Sequence, residues 1–147
     1  MQTAEAILLT SLQGLQRELM DVVSKLQREK RKRARNKLLQ RLNRILAFEN
    51  HLISQLLDRT VTAPTSAYLV QHGTAPPFRP LSESDEPLPG TVLAWSRAED
   101  GSARLQVWVV PDDPDSPFHN WACFLPLSKI EGIVPLTEHS EATPVTA

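Results

Sequence analysis

The chain has 147 residues, with 16 Lys and Arg against 17 Asp and Glu, 12 Pro and a single Cys, for a formal net charge of −1. One cysteine excludes an intramolecular disulfide framework or a cysteine-based zinc cluster within one chain, and no window approaches the roughly 18 apolar residues of a spanning helix. The small net charge is a cancellation: residues 1–60 hold 12 bases and 6 acids, a balance of +6, while residues 61–147 hold 4 bases and 11 acids, a balance of −7, together with all the prolines.

The first segment, MQTAEAILLTSLQ, has no basic start, and Thr10, Ser11 and Gln13 interrupt its apolar run, so it does not read as a signal peptide. With the lone cysteine, this gives the expectation of a reducing compartment, cytoplasmic, or nuclear if the source is eukaryotic or viral. Residues 1–59 contain no Pro and one Gly, and they are rich in Leu, Gln, Arg, Lys, Glu and Ala, all good helix formers. Leu8, Leu12, Leu15, Leu19, Val22 and Leu26 step by four and three, the spacing of a heptad seam whose partner is another helix. A second seam of different phase runs through Leu39, Leu42, Leu46, Glu49, Ile53 and Leu56.

Between the seams lies Arg28–Lys37, with Arg28, Lys30, Arg31, Lys32, Arg33, Arg35 and Lys37 against Glu29 alone. No Gly or Pro marks a turn there, which favours one continuous helix about 80 Å long over a hairpin turning within residues 29–36. A hairpin would pack the two seams together, while a continuous helix is expected to hide its leucines by dimerisation or higher association, or against another protein, making 1–59 a coiled-coil oligomerisation region. The basic run would be neutralised by a nucleic-acid backbone, an import receptor or an acidic protein surface, unless it is simply a solvated face. A basic-zipper reading fails, because bulky leucines follow Asn36 where that family has small residues.

Residues 60–89 are rich in Pro, Ser and Thr and read as a linker, with Tyr68–Val70 as a short strand and Phe78 as an anchor on the following domain. From Gly90 to Leu136 the pattern becomes β-rich. Residues 91–97 lead to an Asp100-Gly101 hairpin signal, and Leu105, Val107 and Val109 alternate with Gln106 and Trp108 on the return strand. Further strands are expected around Trp121–Leu127 and Ile130–Leu136, followed by a disordered tail over 137–147. Phe124–Ile133 resembles the strand-turn-strand end of bacterial WYL domains but lacks that family's basic ligand residues, so it carries no function here.

The expected fold is therefore α+β: a long N-terminal coiled-coil helix, or a helical hairpin, followed by a small antiparallel SH3-like or Sm-like domain. His51, His72, His119 and His139 share no ligand spacing, Cys123 lies in an apolar strand, and no Gly-rich phosphate loop occurs. The expectation is a non-enzymatic protein without metal or cofactor. Its leading function is an oligomeric adaptor whose acidic β domain binds a protein partner through Trp108, Trp121, Asp112, Asp113 and Asp115. The alternative is a DNA- or RNA-binding accessory factor using residues 28–37.

Overall fold

The computed structural model describes residues 3–71, 86–115 and 122–135. It is an α+β protein in which a pair of long helices packs on one face of a five-stranded antiparallel sheet. Helix α1 spans Ala4–Arg28, α2 spans Lys32–Ile53, and a short 3-10 turn, Ser54–Leu56, follows. Strand β1 is Thr60–Pro64, helix α3 is Thr65–Gln71, and β2 to β5 are Pro87–Arg97, Leu105–Pro111, Cys123–Pro126 and Gly132–Ile133. The strands lie in the order β4-β3-β2-β1-β5, so the sheet is open, with β4 and β5 at its edges.

The continuous helix favoured by the lack of Gly or Pro gives way to two helices, and the reason is local. Thr3 begins α1 by accepting the Ala6 N–H on its hydroxyl. At the other end Glu29 is extended, at φ −81° and ψ 124°, a conformation any residue adopts, so the turn needs no glycine. The Glu29 carboxylate accepts from both the backbone N–H and the guanidinium of Arg31. Arg35 then reaches back from α2 and donates to the carbonyls of Leu26 (2.6 Å) and Glu29 (3.0 Å), filling acceptors that the end of a helix leaves open. Turning here also breaks a helical run of like charges that would repel at i,i+4 spacing.

The hairpin packs in two zones. Near its open end, Leu8, Leu9 and Leu12 of α1 join Ile53 and Leu56 against the sheet, in one core with Val61, Tyr68, Val92, Val107, Val109 and Leu125. Nearer the turn, Leu19, Val22 and Ile45 form a second core with half-buried Leu15, Val23, Leu26, Leu38, Leu42 and Leu46, and Ala103 between β2 and β3 packs against it. The expected seams are thus largely filled within one chain. Leu8, Leu12, Leu19, Val22, Ile53 and Leu56 are buried, and only Leu39 of the second seam is exposed.

The expected small barrel is instead an open sheet, because the helices cover the apolar face that closure would otherwise have to hide. Alternation supplies that face: Leu105, Val107, Val109 and Pro111 are buried, and the residues between them are half-buried on the other side. In β2 the register shifts between Val92 and Ala94, leaving Leu93 as an exposed bulge. The extra residue turns Trp95 and Arg97 back to the helix side, opposite Val107 and Leu105. Strand β2 also bonds to the chain leaving the hairpin, through Asp58 N–H to Val92 O and Val92 N–H to Arg59 O.

The region read as linker contributes β1, which pairs with both β2 and β5. Tyr68 lies on a helix rather than in a strand; it is buried, and its hydroxyl donates to Leu88 O at 3.1 Å. Burial also pushes its phenol well above the usual range. Removing that hydroxyl, as Tyr68→Phe, is expected to cost about 1 kcal/mol in chemical denaturation, since Leu88 O loses a buried donor. Phe78 and the tail from residue 137 lie outside the described residues.

Candidate anion-binding face of the helical hairpin

Helix α2, KRARNKLLQRLNRILAFENHLI, contains six Arg or Lys after its cap and a single acid, Glu49. That acid is fully buried on the sheet side, where Arg97 Nη1 donates to its Oε1 at 3.0 Å. The outward face is left with Arg33, Lys37, Arg44, Phe48 and His51 at helical spacings of four, seven, four and three, all exposed. Phe48, at 53% exposure, is among the most open large apolar side chains.

The acids of α1 are differently used. Glu18 pairs with Arg41, Asp21 with Lys25, and Glu5 with Arg59. Among the described residues, Lys30, Lys32, Arg33, Lys37 and Arg44 meet no carboxylate within ion-pair distance. Near the turn an open groove of about 440 Å³ is bordered by Lys25, Arg28, Glu29 and Lys37 over Ala34 and Leu38.

The seven basic residues singled out from the sequence therefore divide into two groups. Arg35 serves the turn, and Arg31 is held by Glu29, whose carboxyl is lowered chiefly by the hydrogen bond from the Arg31 side chain. Arg28 donates to Ser24 Oγ at 2.7 Å. Lys30, Lys32, Arg33 and Lys37 remain free to meet an anion. Arg44 and Phe48 joined them only in the structure; the signal was the lack of any acid on the outward stripe of α2. Arg35→Ala is expected to lower stability by about 2 kcal/mol, since charged hydrogen bonds to two carbonyls are lost, whereas Arg33→Ala should leave the melting temperature unchanged.

The second set of candidates sits on the side of the sheet away from the two long helices, which the described residues leave open. Trp108 and Phe124 are register partners on β3 and β4, with ring centroids 4.1 Å apart in an edge arrangement. An open cleft of about 540 Å³ runs from this pair to Glu99, Asp100 and Arg104 at the β2–β3 turn. Asp100 is held down at about 2, first by the Ser102 hydroxyl, then by the Ser102 N–H and Arg104, so it stays charged at ordinary pH. Asp112 accepts from the Thr91 hydroxyl at 2.7 Å and Asp113 from the Asp115 N–H, so this acidic group lies beyond the opposite end of β3 from the cleft. The expected juxtaposition of Trp108 with Asp112–Asp115 is therefore spread along the strand. Trp121 lies outside the described residues.

Cys123 is buried, and burial pushes its thiol up to about 11, which disfavours the nucleophilic thiolate. Among the described residues no three His, Cys, Asp or Glu side chains are grouped to hold a metal ion, and no helix is long and apolar enough to cross a membrane. No family model, no curated protein and no solved structure matches this chain.

Proposed function

We propose that this chain is a non-enzymatic binding module that holds a polyanion, in first place a nucleic-acid phosphate backbone, on the tip and outer face of its helical hairpin. The observation that carries the reading is the set of cations without an ion-pair partner among the described residues, Lys30, Lys32, Arg33, Lys37 and Arg44, at the turn and on α2, whose one acid is buried. Like charges held this close repel one another, and phosphates relieve that repulsion while releasing condensed counterions. Nothing in the arrangement offers the paired donors and acceptors that read a base edge, so binding is expected to follow backbone rather than sequence. Phe48 adds an aromatic surface beside Arg44 on which an unpaired base can stack.

Fluorescence anisotropy with generic DNA and RNA oligonucleotides tests this. If the four cations Lys30, Lys32, Arg33 and Lys37 each displace one counterion, affinity falls about 150-fold between about 50 and 200 mM salt. Lys30→Glu/Lys32→Glu/Arg33→Glu is expected to leave the fold intact and to remove binding at every salt concentration. An unchanged affinity in this variant, or no binding by the parent protein at low salt, rejects the reading.

The adaptor reading stands second, favoured by the half-buried Trp108–Phe124 pair on the side of the sheet away from the helices. It no longer draws on the leucine seams, whose side chains are mostly enclosed within one chain.

A further inference from the structure

We infer that the Trp108–Phe124 side of the sheet docks the basic hairpin tip of a second copy of this chain, so that copies associate head to tail. The inference uses the same tip as the proposed nucleic-acid site but rests on a different surface, the open face of β2, β3 and β4. Three observations select this occupant.

Chemistry is the first. The cleft joins an indole face and a phenyl ring to carboxylates at one rim, an arrangement that takes a cation, with Trp the best aromatic partner for Arg or Lys. Arg97 and Arg104 also border the cleft, but each is held by a carboxylate, Glu49 and Asp100 respectively, which leaves exposed Glu99 as the unbalanced charge. Charge is the second. The described residues from 86 onward carry 7 acids and 3 bases, opposite in sign to the +6 of residues 1–60. Complementary fields of this kind steer association and fix its register.

Reach is the third. The open face lies on the side of the sheet away from α1 and α2, because the residues facing the helices are those of the shared core. Leu105 N–H donates to Gln16 Oε1, Ala103 of the β2–β3 turn packs on the core of Leu19, Val22 and Ile45, and Arg28 lies 6 residues beyond Val22. At 1.5 Å per residue, the tip therefore projects about 9 Å past this contact along α1, away from its own cleft. A single contact between tip and cleft joins two different surfaces, so it is heterologous and builds a ring or an open chain, unless two copies exchange tips reciprocally and close as a two-fold dimer.

The test is sedimentation velocity on full-length protein freed of nucleic acid, at about 0.01 M and about 1 M salt, where the screening length is about 30 Å and about 3 Å. Association beyond the monomer at low salt, lost at high salt, is expected. Two variants are then compared: Trp108→Ala/Glu99→Lys, which lacks the cleft, and Lys30→Glu/Lys32→Glu/Arg33→Glu, which lacks the tip. Each alone is expected to be monomeric, and an equimolar mixture is expected to form a one-to-one dimer and nothing larger, since only one tip and one cleft remain compatible. Glu99→Lys by itself, a change at an exposed position, should weaken self-association at least about tenfold.

A monomeric parent protein at low salt, self-association of either double or triple variant at the parent level, a mixture that stays monomeric, or no effect of Glu99→Lys overturns the inference. The nucleic-acid reading fails separately. Loss of oligonucleotide binding concerns the tip alone, and the cleft variant is expected to bind oligonucleotides as the parent does.

Discussion

Glu49→Ala is expected to destabilise the protein by at least about 3 kcal/mol, the loss typical when one partner is removed from a buried ion pair. Glu49 has no exposed surface and accepts from Arg97, a residue that the β2 bulge turns toward the helices. Arg97 also donates to Ala103 O at 3.1 Å and Asn50 Oδ1 at 2.8 Å, and its guanidinium lies 5.8 Å from the Trp95 ring. One side chain thereby fastens α2 to the β2–β3 turn, and without Glu49 its charge keeps only neutral partners. For a domain whose whole stability is about 5–15 kcal/mol, this is a large fraction. The paired replacement Glu49→Leu/Arg97→Met should recover most of the loss, since an apolar pair carries no desolvation cost.

The same site gives a pH dependence. Burial raises the Glu49 carboxyl above its ordinary value, and Arg97 only partly offsets this. A raised acid binds its proton more tightly in the folded state, so its contribution to stability is fully present below the unfolded value. That contribution is lost as pH rises through the folded value. Glu49→Gln removes this slope. Denaturant midpoints measured upward from about pH 4 should fall more steeply in the parent protein than in Glu49→Gln, and parallel curves would contradict the assignment.

Gly90→Ala is expected to cost about 3 kcal/mol, the upper part of the range for forcing a methyl into a filled core. A Cβ built there would meet Val109 Cγ1, and it would come within 2.9 Å of Val110 O and 3.1 Å of the Tyr68 hydroxyl. The backbone angle at this glycine is unexceptional. What the position requires is space, since Gly90 sits where Tyr68 reaches across β2 toward Leu88 O. Truncating the nearest neighbour, as Gly90→Ala/Val109→Ala, should restore part of the stability, because the approach to Val110 O is left. If Gly90→Ala melts like the parent protein, Tyr68 does not pack on β2 as described.

The α+β class, the Asp100-Gly101 turn and the alternating face of β3 were legible because each rests on a short-range pattern. Gly101 adopts φ +87° and Ala103 φ 61°, while Asp100 stays outside the left-handed region, so the glycine turns a longer loop over residues 98–104 rather than a two-residue hairpin. The hairpin between α1 and α2 was legible only as the less favoured of two arrangements. Its turn is built from Glu29, Arg31 and Arg35 side chains in ordinary backbone conformations, and a search for Gly or Pro passes over it. Strand β1 was hidden because TVTAP is short, ends in proline and gains its strand character only from pairing with β2 and β5.

Two glutamines were missed for a related reason. Gln13 donates to the carbonyls of Leu127 and Ile130, and Gln16 accepts from Leu105 N–H, so both tie α1 to the sheet although they read as polar surface. The basic run was conspicuous from the start, but which of its members are spent on folding depends on contacts nine and six residues away in the chain. The second seam already placed Glu49 inward, as the structure shows it, but the acid-free outward stripe that carries Arg44 and Phe48 was not drawn from it.

Both the binding face and the head-to-tail contact depend on the basic run forming the tip of a hairpin within one chain. Spin labels at Thr10→Cys and His51→Cys, exposed positions on opposite arms, measure this by electron-electron distance, with the parent cysteine buried and unreactive. Helices packed 8–10 Å apart place the two labels within about 25 Å once the label arms are included. In a single continuous helix the same labels would stand about 62 Å apart. A dominant short distance, unchanged when labelled protein is diluted with unlabelled protein, is the predicted result; a distance near the long value would contradict the account.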